Sequence, residues 1–207
     1  MATRTKASGK VNRREEILQA AGKLMLSRGL SGVTTRQISR EVGCSEAALY
    51  VHFKGRLELL LAMLEESLPE MLGPLQNLQQ RVGRGSPQAN LAKAIQGVFR
   101  FHLRATPIVA GLFSEPQLHA AYRASLARQD KGPHLSTKVF VDYIAAEQRM
   151  GRIAEGVDPK LAANLLLASS FYRAFCEQFF GIPMQPSWNN LVKQLIDTIA
   201  PARDATT

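Results

Sequence analysis

The chain has 207 residues, enough for one or two domains with a sizeable core. Hydrophobic residues make up 45% and charged residues 21%, the only cysteines are Cys44 and Cys176, and the longest uncharged run is 178–192, interrupted by Pro183 and Pro186; extended disorder, a disulfide scaffold and a bilayer-spanning helix are thereby excluded. The net charge of +9 is uneven, because residues 1–56 hold 11 basic and 4 acidic side chains and leave the rest nearly balanced, which points to an anionic partner at the N-terminal end.

The predicted elements are all helices, nine to ten in number, with no period-2 strand pattern. Residues 1–10 lack the apolar centre of a signal peptide and read as a flexible basic arm carrying Arg4 and Lys6. A first helix over 11–28 places Ile17, Leu18, Ala21, Leu24 and Met25 on one face, and Gly29 stops it. Thr34 caps a short helix over 35–42, with Gln37 at capping-box spacing and Ile38 and Val42 facing inward. Gly43 and Cys44 make a tight turn, and Ser45 caps a helix over 46–53 whose inward residues are Leu49 and Phe53. After Gly55 a longer helix begins at Arg56, with Leu57, Leu60, Leu61, Leu64 and Leu68 as its apolar stripe, and it is expected to end or kink between Pro69 and Pro74. A loop over 83–87 leads to a helix over 87–105, and short helices are expected after Pro107 and after Pro116. Helices over 133–149, 159–180 and 188–200 complete the chain, the one over 159–180 being apolar nearly all round.

Two short helices joined by a glycine turn, after a longer first helix, make a helix-turn-helix arrangement. The second short helix must fix its angle through an inner face and offer small or hydrogen-bonding groups outward to the major groove. Leu49 and Phe53 suit the first task, and Glu46, Ala47, Ala48, Tyr50, Val51 and His52 are available for the second. Thr34, Thr35, Arg36, Lys54 and Arg56 surround the unit as candidate phosphate donors. No paired-histidine zinc motif, nucleophile elbow or glycine-rich phosphate loop is present, so neither catalytic residues, a metal nor a cofactor is expected.

The run from Thr34-Thr35-Arg36-Gln37-Ile38 through Val42-Gly43-Cys44-Ser45-Glu46-Ala47-Ala48-Leu49-Tyr50-Val51-His52-Phe53 resembles the signature of the TetR family of bacterial transcriptional regulators, over about residues 11–65. Cys44, Ser39 and Leu57 depart from the common valine, alanine and acidic residue there. The resemblance implies an all-α fold: a helix-turn-helix DNA-binding domain over 11–56, then a helical ligand-binding and dimerisation domain over 57–207. It implies phosphate contacts from Thr35, Arg36, Tyr50, His52 and Lys54, and base contacts from Arg36, Glu46, Ala47, Ala48 and Val51, with Thr34 and Ser45 at the edges of the DNA-binding set. Glu46 has two readings, a first-turn residue favoured by the helix dipole or a base reader.

The resemblance further implies a homodimer through the last two helices, for which Leu161, Leu165, Ala168, Leu191, Leu195 and Ile199 are the candidates, and a near-palindromic operator in double-stranded DNA. A small effector, apolar or aromatic, would sit among Phe99, His102, Phe113, Tyr122, Tyr143, Phe171 and Tyr172, with Arg104 or Asn164 as polar anchors. The expected protein is a cytoplasmic, nucleoid-associated repressor that leaves DNA when the effector binds. The alternative is a TetR-like protein whose output is a protein partner, as in the nucleoid-occlusion division inhibitor of this family, which the stretches 12–18 and 45–50 resemble.

Overall fold

The computed structural model describes residues 13–183 and 187–199. Among them the chain forms nine α-helices and one 3₁₀ turn, with no strand: α1 (Arg13–Arg28), α2 (Thr35–Val42), α3 (Glu46–His52), α4 (Arg56–Gln80), α5 (Pro87–Gly111), the 3₁₀ turn Leu112–Ser114, α6 (Pro116–Arg128), α7 (Pro133–Arg149), α8 (Pro159–Phe180) and α9 (Trp188–Ile199). The expected basic arm and the first two residues of the expected first helix lie outside the described residues.

Local signals set most of the helix starts. The Thr34 hydroxyl accepts the Gln37 amide while the Gln37 side chain accepts the Thr34 amide at 2.9 Å, a complete capping box. Ser45 accepts the Ala48 amide at 3.1 Å, Ser86 the Ala89 amide at 3.3 Å, and Asp158 the amides of Lys160 and Leu161. Pro87, Pro116, Pro133 and Pro159 occupy first-turn positions, where a missing N–H costs nothing.

Pro107 behaves otherwise than the sequence suggests, and Pro69 and Pro74 do not end their helix. Pro69 and Pro74 lie inside a continuous α4, and Pro107 lies inside α5, which runs on to Gly111 instead of ending near Ala105. Each removes one helical hydrogen bond, a cost of about 3 kcal/mol when nothing compensates. Tertiary burial compensates here: α4 and α5 pack along their length, and Leu75, Leu78, Leu91, Ile95 and Val98 are buried between them and their neighbours. Beside Pro107, the Thr106 hydroxyl donates to the His102 carbonyl oxygen at 2.6 Å.

The helices enclose two apolar clusters. One gathers Ile17, Leu18, Ile38, Leu49 and Phe53 with Leu59, Leu60 and Met63 of α4, and takes in Ala105, Ile108 and Leu112 from the far end of α5. The other lies among α4, α5, α7, α8 and α9, with Phe140, Tyr143 and Leu166 fully buried. In the second cluster Glu147 is fully buried: one carboxylate oxygen accepts the Gly83 amide at 3.0 Å, and the other lies 2.8 Å from Arg152 in an ion pair.

Candidate nucleic-acid interface

The α2–α3 unit is built from the inside outward. Gly43 adopts φ +70°, and the turn closes through the Gly43 amide to the Arg40 carbonyl and the Cys44 amide to the Ser39 carbonyl at 2.9 Å. A left-handed residue is needed there, which glycine supplies without strain. Leu49 and Phe53 are fully buried against α1 and α4, and the Arg14 guanidinium lies 5.1 Å above the Phe53 ring. These contacts fix the angle of α3 and turn its other face outward.

That outer face is open. Val51 is 81% exposed and Tyr50 48%, and Ser45, Glu46 and Ala47 are exposed beside half-buried Ala48 and His52. Thr34, Arg36 and Lys54 are exposed at the flanks and Thr35 is half-buried. Thr35 ties the two helices together: its hydroxyl donates to Glu46 at 3.0 Å and stands 3.5 Å from the Tyr50 hydroxyl. Thr35, Glu46 and Tyr50 thus form one polar cluster across the α2–α3 groove, and the Glu46 carboxylate is engaged within the protein.

Arg56 stands apart from the other flanking residues. Its guanidinium is held by Glu115 through two hydrogen bonds of 2.7 and 2.6 Å and donates to the Leu30 carbonyl oxygen at 2.8 Å. It therefore braces the start of α4 against the start of α6 instead of facing outward. Beside it, Ser31 and Ser114 share a hydrogen bond of 2.7 Å. No sequence signal links Arg56 to a residue 59 positions away.

Residues 17–63 match the family model described as "Bacterial regulatory proteins, tetR family". The match lies at the helix-turn-helix end of the chain, which is there similar to the TetR family. Two nucleoid occlusion factors named SlmA are similar to it. That of Vibrio cholerae is 48% identical over 63 residues, covering 28% of this chain but only 32% of the relative, so the match spans about a third of that protein's length. That of Shewanella baltica strain OS155 is 28% identical over 169 residues, covering 72% of this chain and 85% of the relative. The solved structure of the transcriptional regulator FadR from Bacillus subtilis, in complex with stearoyl-CoA, superposes with a TM-score of 0.59 at 13% identity, over 90% of this chain and 97% of that one, a likeness of fold. Among the described residues, no helix is long and apolar enough to cross a membrane, and no group of three or more His, Cys, Asp or Glu side chains is placed to hold a metal ion.

The aromatic residues expected around an effector scatter. His102 bonds Ser170 at 2.9 Å and meets the edge of Phe171, and burial lowers the His102 imidazole to about 4, so it is neutral at pH 7. Ser170 is fully buried, so this histidine–serine pair presents no hydroxyl to a substrate. Tyr143 is a core residue: fully buried, it accepts from Asn90 at 2.9 Å, and burial pushes its phenol up to about 12. Tyr122 packs against the N-terminal cluster, and burial raises its phenol as well. Phe113 is 78% exposed against His119, and Tyr172 is exposed on α8. Phe99 leans on Trp188 at 5.3 Å. Arg104 pairs with Glu70 at 2.9 Å, and Asn164 is exposed.

The residues expected at a dimer surface divide. Leu161, Leu165 and Ala168 lie exposed along α8, in line with Tyr172 and Phe179. Leu191 and Leu195 are half-buried against the chain's own second cluster, and the Ile199 side chain lies outside the described part.

Proposed function

We propose that the chain is a dimeric transcriptional regulator that reads a near-palindromic operator with α3 and is released when a small molecule binds the helices beyond α4. One observation carries the DNA-reading half: α3 buries Leu49 and Phe53 completely while holding Ala47, Tyr50 and Val51 outward. Thr35, Arg36, Tyr50, His52 and Lys54 hold phosphates in this reading, and Ala47, Ala48 and Val51 face the bases. Glu46, already bonded to Thr35, acts by setting the geometry of the groove.

The exposed apolar line on α8 supports the dimer, because a helix apolar on all sides needs cover on all sides. Two copies of α3 at a fixed spacing then read two half-sites, and an effector that favours another spacing lowers affinity by linkage. Helix α4 joins the reading unit to the rest and is the lever, with residues 11–56 as the DNA-binding domain and 57–207 as the effector and dimer domain.

The test is selection of sites from a random DNA pool with the full-length protein, followed by a salt titration on the selected site. A palindromic consensus with a steep salt slope is expected. No enrichment from protein free of small molecules would overturn the reading.

The likeness to SlmA along most of the chain favours a second reading, in which the same DNA binding serves a protein partner in division control. Release from the operator by a small molecule separates the first reading from DNA-dependent binding of a division protein, which would establish the second.

A further inference from the structure

The first turns of α4 belong to the DNA-reading unit, because Leu59, Leu60 and Met63 share a core with Leu49 and Phe53. Arg56, at the start of that helix, is fixed to the same unit. Glu115 stands directly before α6, on the body side. The two meet through Arg56 Nη1 to Glu115 Oε2 at 2.7 Å and Arg56 Nη2 to Glu115 Oε1 at 2.6 Å. The same Nη2 donates to the Leu30 carbonyl oxygen at 2.8 Å, in the connection between α1 and α2. Beside it the Ser31 and Ser114 hydroxyls lie 2.7 Å apart, and the Ser114 hydroxyl donates to the Gly111 carbonyl oxygen at 2.7 Å. Three stretches of chain, 30–31, 56 and 111–115, thus converge on one polar joint.

The joint supplies what the apolar contacts around it lack. Ala105, Ile108 and Leu112 enter the core of the reading unit, but apolar burial is non-directional: it resists separation more than it resists turning. Two parallel N–H···O bonds between flat groups fix an angle as well as a distance. The Leu30 carbonyl adds a point of attachment off the Arg56–Glu115 line, so the joint resists rotation about that line too. The two side chains are 34% and 17% exposed, which limits the competition from water that weakens a fully open ion pair. Arg56 and Glu115 therefore hold the orientation of the reading unit on the body.

We propose that this joint is a latch that sets the half-site spacing the dimer accepts, which makes Arg56 and Glu115 positioning residues for operator choice although neither faces DNA. The proposal deepens the proposed function and rests on it for the dimer and the operator. One base pair inserted between half-sites moves them about 3.4 Å apart and turns one against the other by about 35°. A latched dimer seats one reading unit on such a site and loses the second, a loss of about a hundredfold or more in affinity. An unlatched unit can turn to follow the displaced half-site.

The test compares full-length parent, Arg56→Gln and Glu115→Gln on the operator selected by the parent and on the same operator with one base pair inserted or removed at its centre. The parent should lose about a hundredfold on the altered sites, and each variant about tenfold or less. The double variant should tolerate no more than the more tolerant single one, because both changes open the same joint. Lys138→Gln, which removes an ion pair within α7, should match the parent. The ratio between sites reports spacing, and a general loss of stability or of DNA affinity would not move it. Hydrogen exchange without DNA checks the latch itself: residues 29–34 and 111–116 should exchange faster in both variants, with α7 and α8 unchanged. Variants that lose as much as the parent on the altered sites overturn the proposal, and so does exchange in those two stretches equal to the parent's. Failure of the proposed function would show in the parent, which would select no operator, whereas failure of the latch shows only in the variants.

Discussion

Gly97 offers a test of how closely α4 and α5 are fitted. A methyl group there would lie 2.5 Å from Cγ and 2.8 Å from Cβ of Pro74, and 2.9 Å from the Glu70 carbonyl oxygen. None of these atoms is the free end of a flexible side chain: two belong to a proline ring and one to the α4 backbone. In an open helix interior, glycine to alanine gains about 1 kcal/mol. Overpacking a tight core costs about 1–3 kcal/mol, and rigid neighbours place this site toward the upper end. Gly97→Ala is therefore expected to lose about 1–2 kcal/mol net, against the helix preference. Gly22 in α1 is the control, because the nearest atom to its added methyl would be Met63 Cε at 3.8 Å, an ordinary contact. Gly22→Ala should gain about 0.5–1 kcal/mol. Urea denaturation at one protein concentration measures both, since a dimer's midpoint shifts with concentration. A Gly97→Ala protein as stable as its parent, or more so, would refute the close fit.

Further outcomes follow from the interface, the surface of α8 and the core. Tyr50→Ala and Lys54→Ala should weaken binding to all DNA sequences alike, and Lys54→Ala should also lower the salt slope by about 1, read by fluorescence anisotropy at several salt concentrations. Leu165→Arg, on the exposed line of α8, should give a monomer mass in light scattering with the helical content retained, and an unchanged dimer would remove α8 from the interface. His102 is neutral in the folded chain down to about pH 4, whereas an unfolded histidine takes a proton near pH 6.5, so folding stability should decline as the pH falls from 6.5 toward 4. The loss at pH 5 is about 2 kcal/mol by linkage, and denaturation of a His102→Gln variant at pH 7 and pH 5 should show a drop smaller by that amount.

The parts of the fold written in short-range chemistry were legible. Thr34 and Gln37, the Gly43 turn, the buried pair Leu49 and Phe53, and the Asp158–Pro159 start of α8 each need only neighbours within a few positions. The prolines were misleading because the helix around each is decided by what packs on it: Pro74 stays inside α4 because α5 covers that face, which no local pattern reveals. Arg56 read as a phosphate donor by position, and only the fold brings Glu115 to it. The aromatic residues of α5 to α8 were equally ambiguous, since the same residue type serves as core in Tyr143 and as surface in Phe113.

The first apolar cluster has a consequence for how such a chain can change. Ala105, Ile108 and Leu112 stand in the same core as Ile17, Leu49 and Phe53, and Gly111 gives Leu30 a seat where any side chain would collide. The reading head is therefore no interchangeable cassette. Cut away after α4, it would expose the apolar surface that the end of α5 covers, and grafted onto a foreign body it would meet a surface not shaped for it. In the proposed reading, new operator preference would arise by exchanging Ala47 or Val51 in place, but a head borrowed whole must bring its own stretch of α5, so that specificity and body would be inherited together.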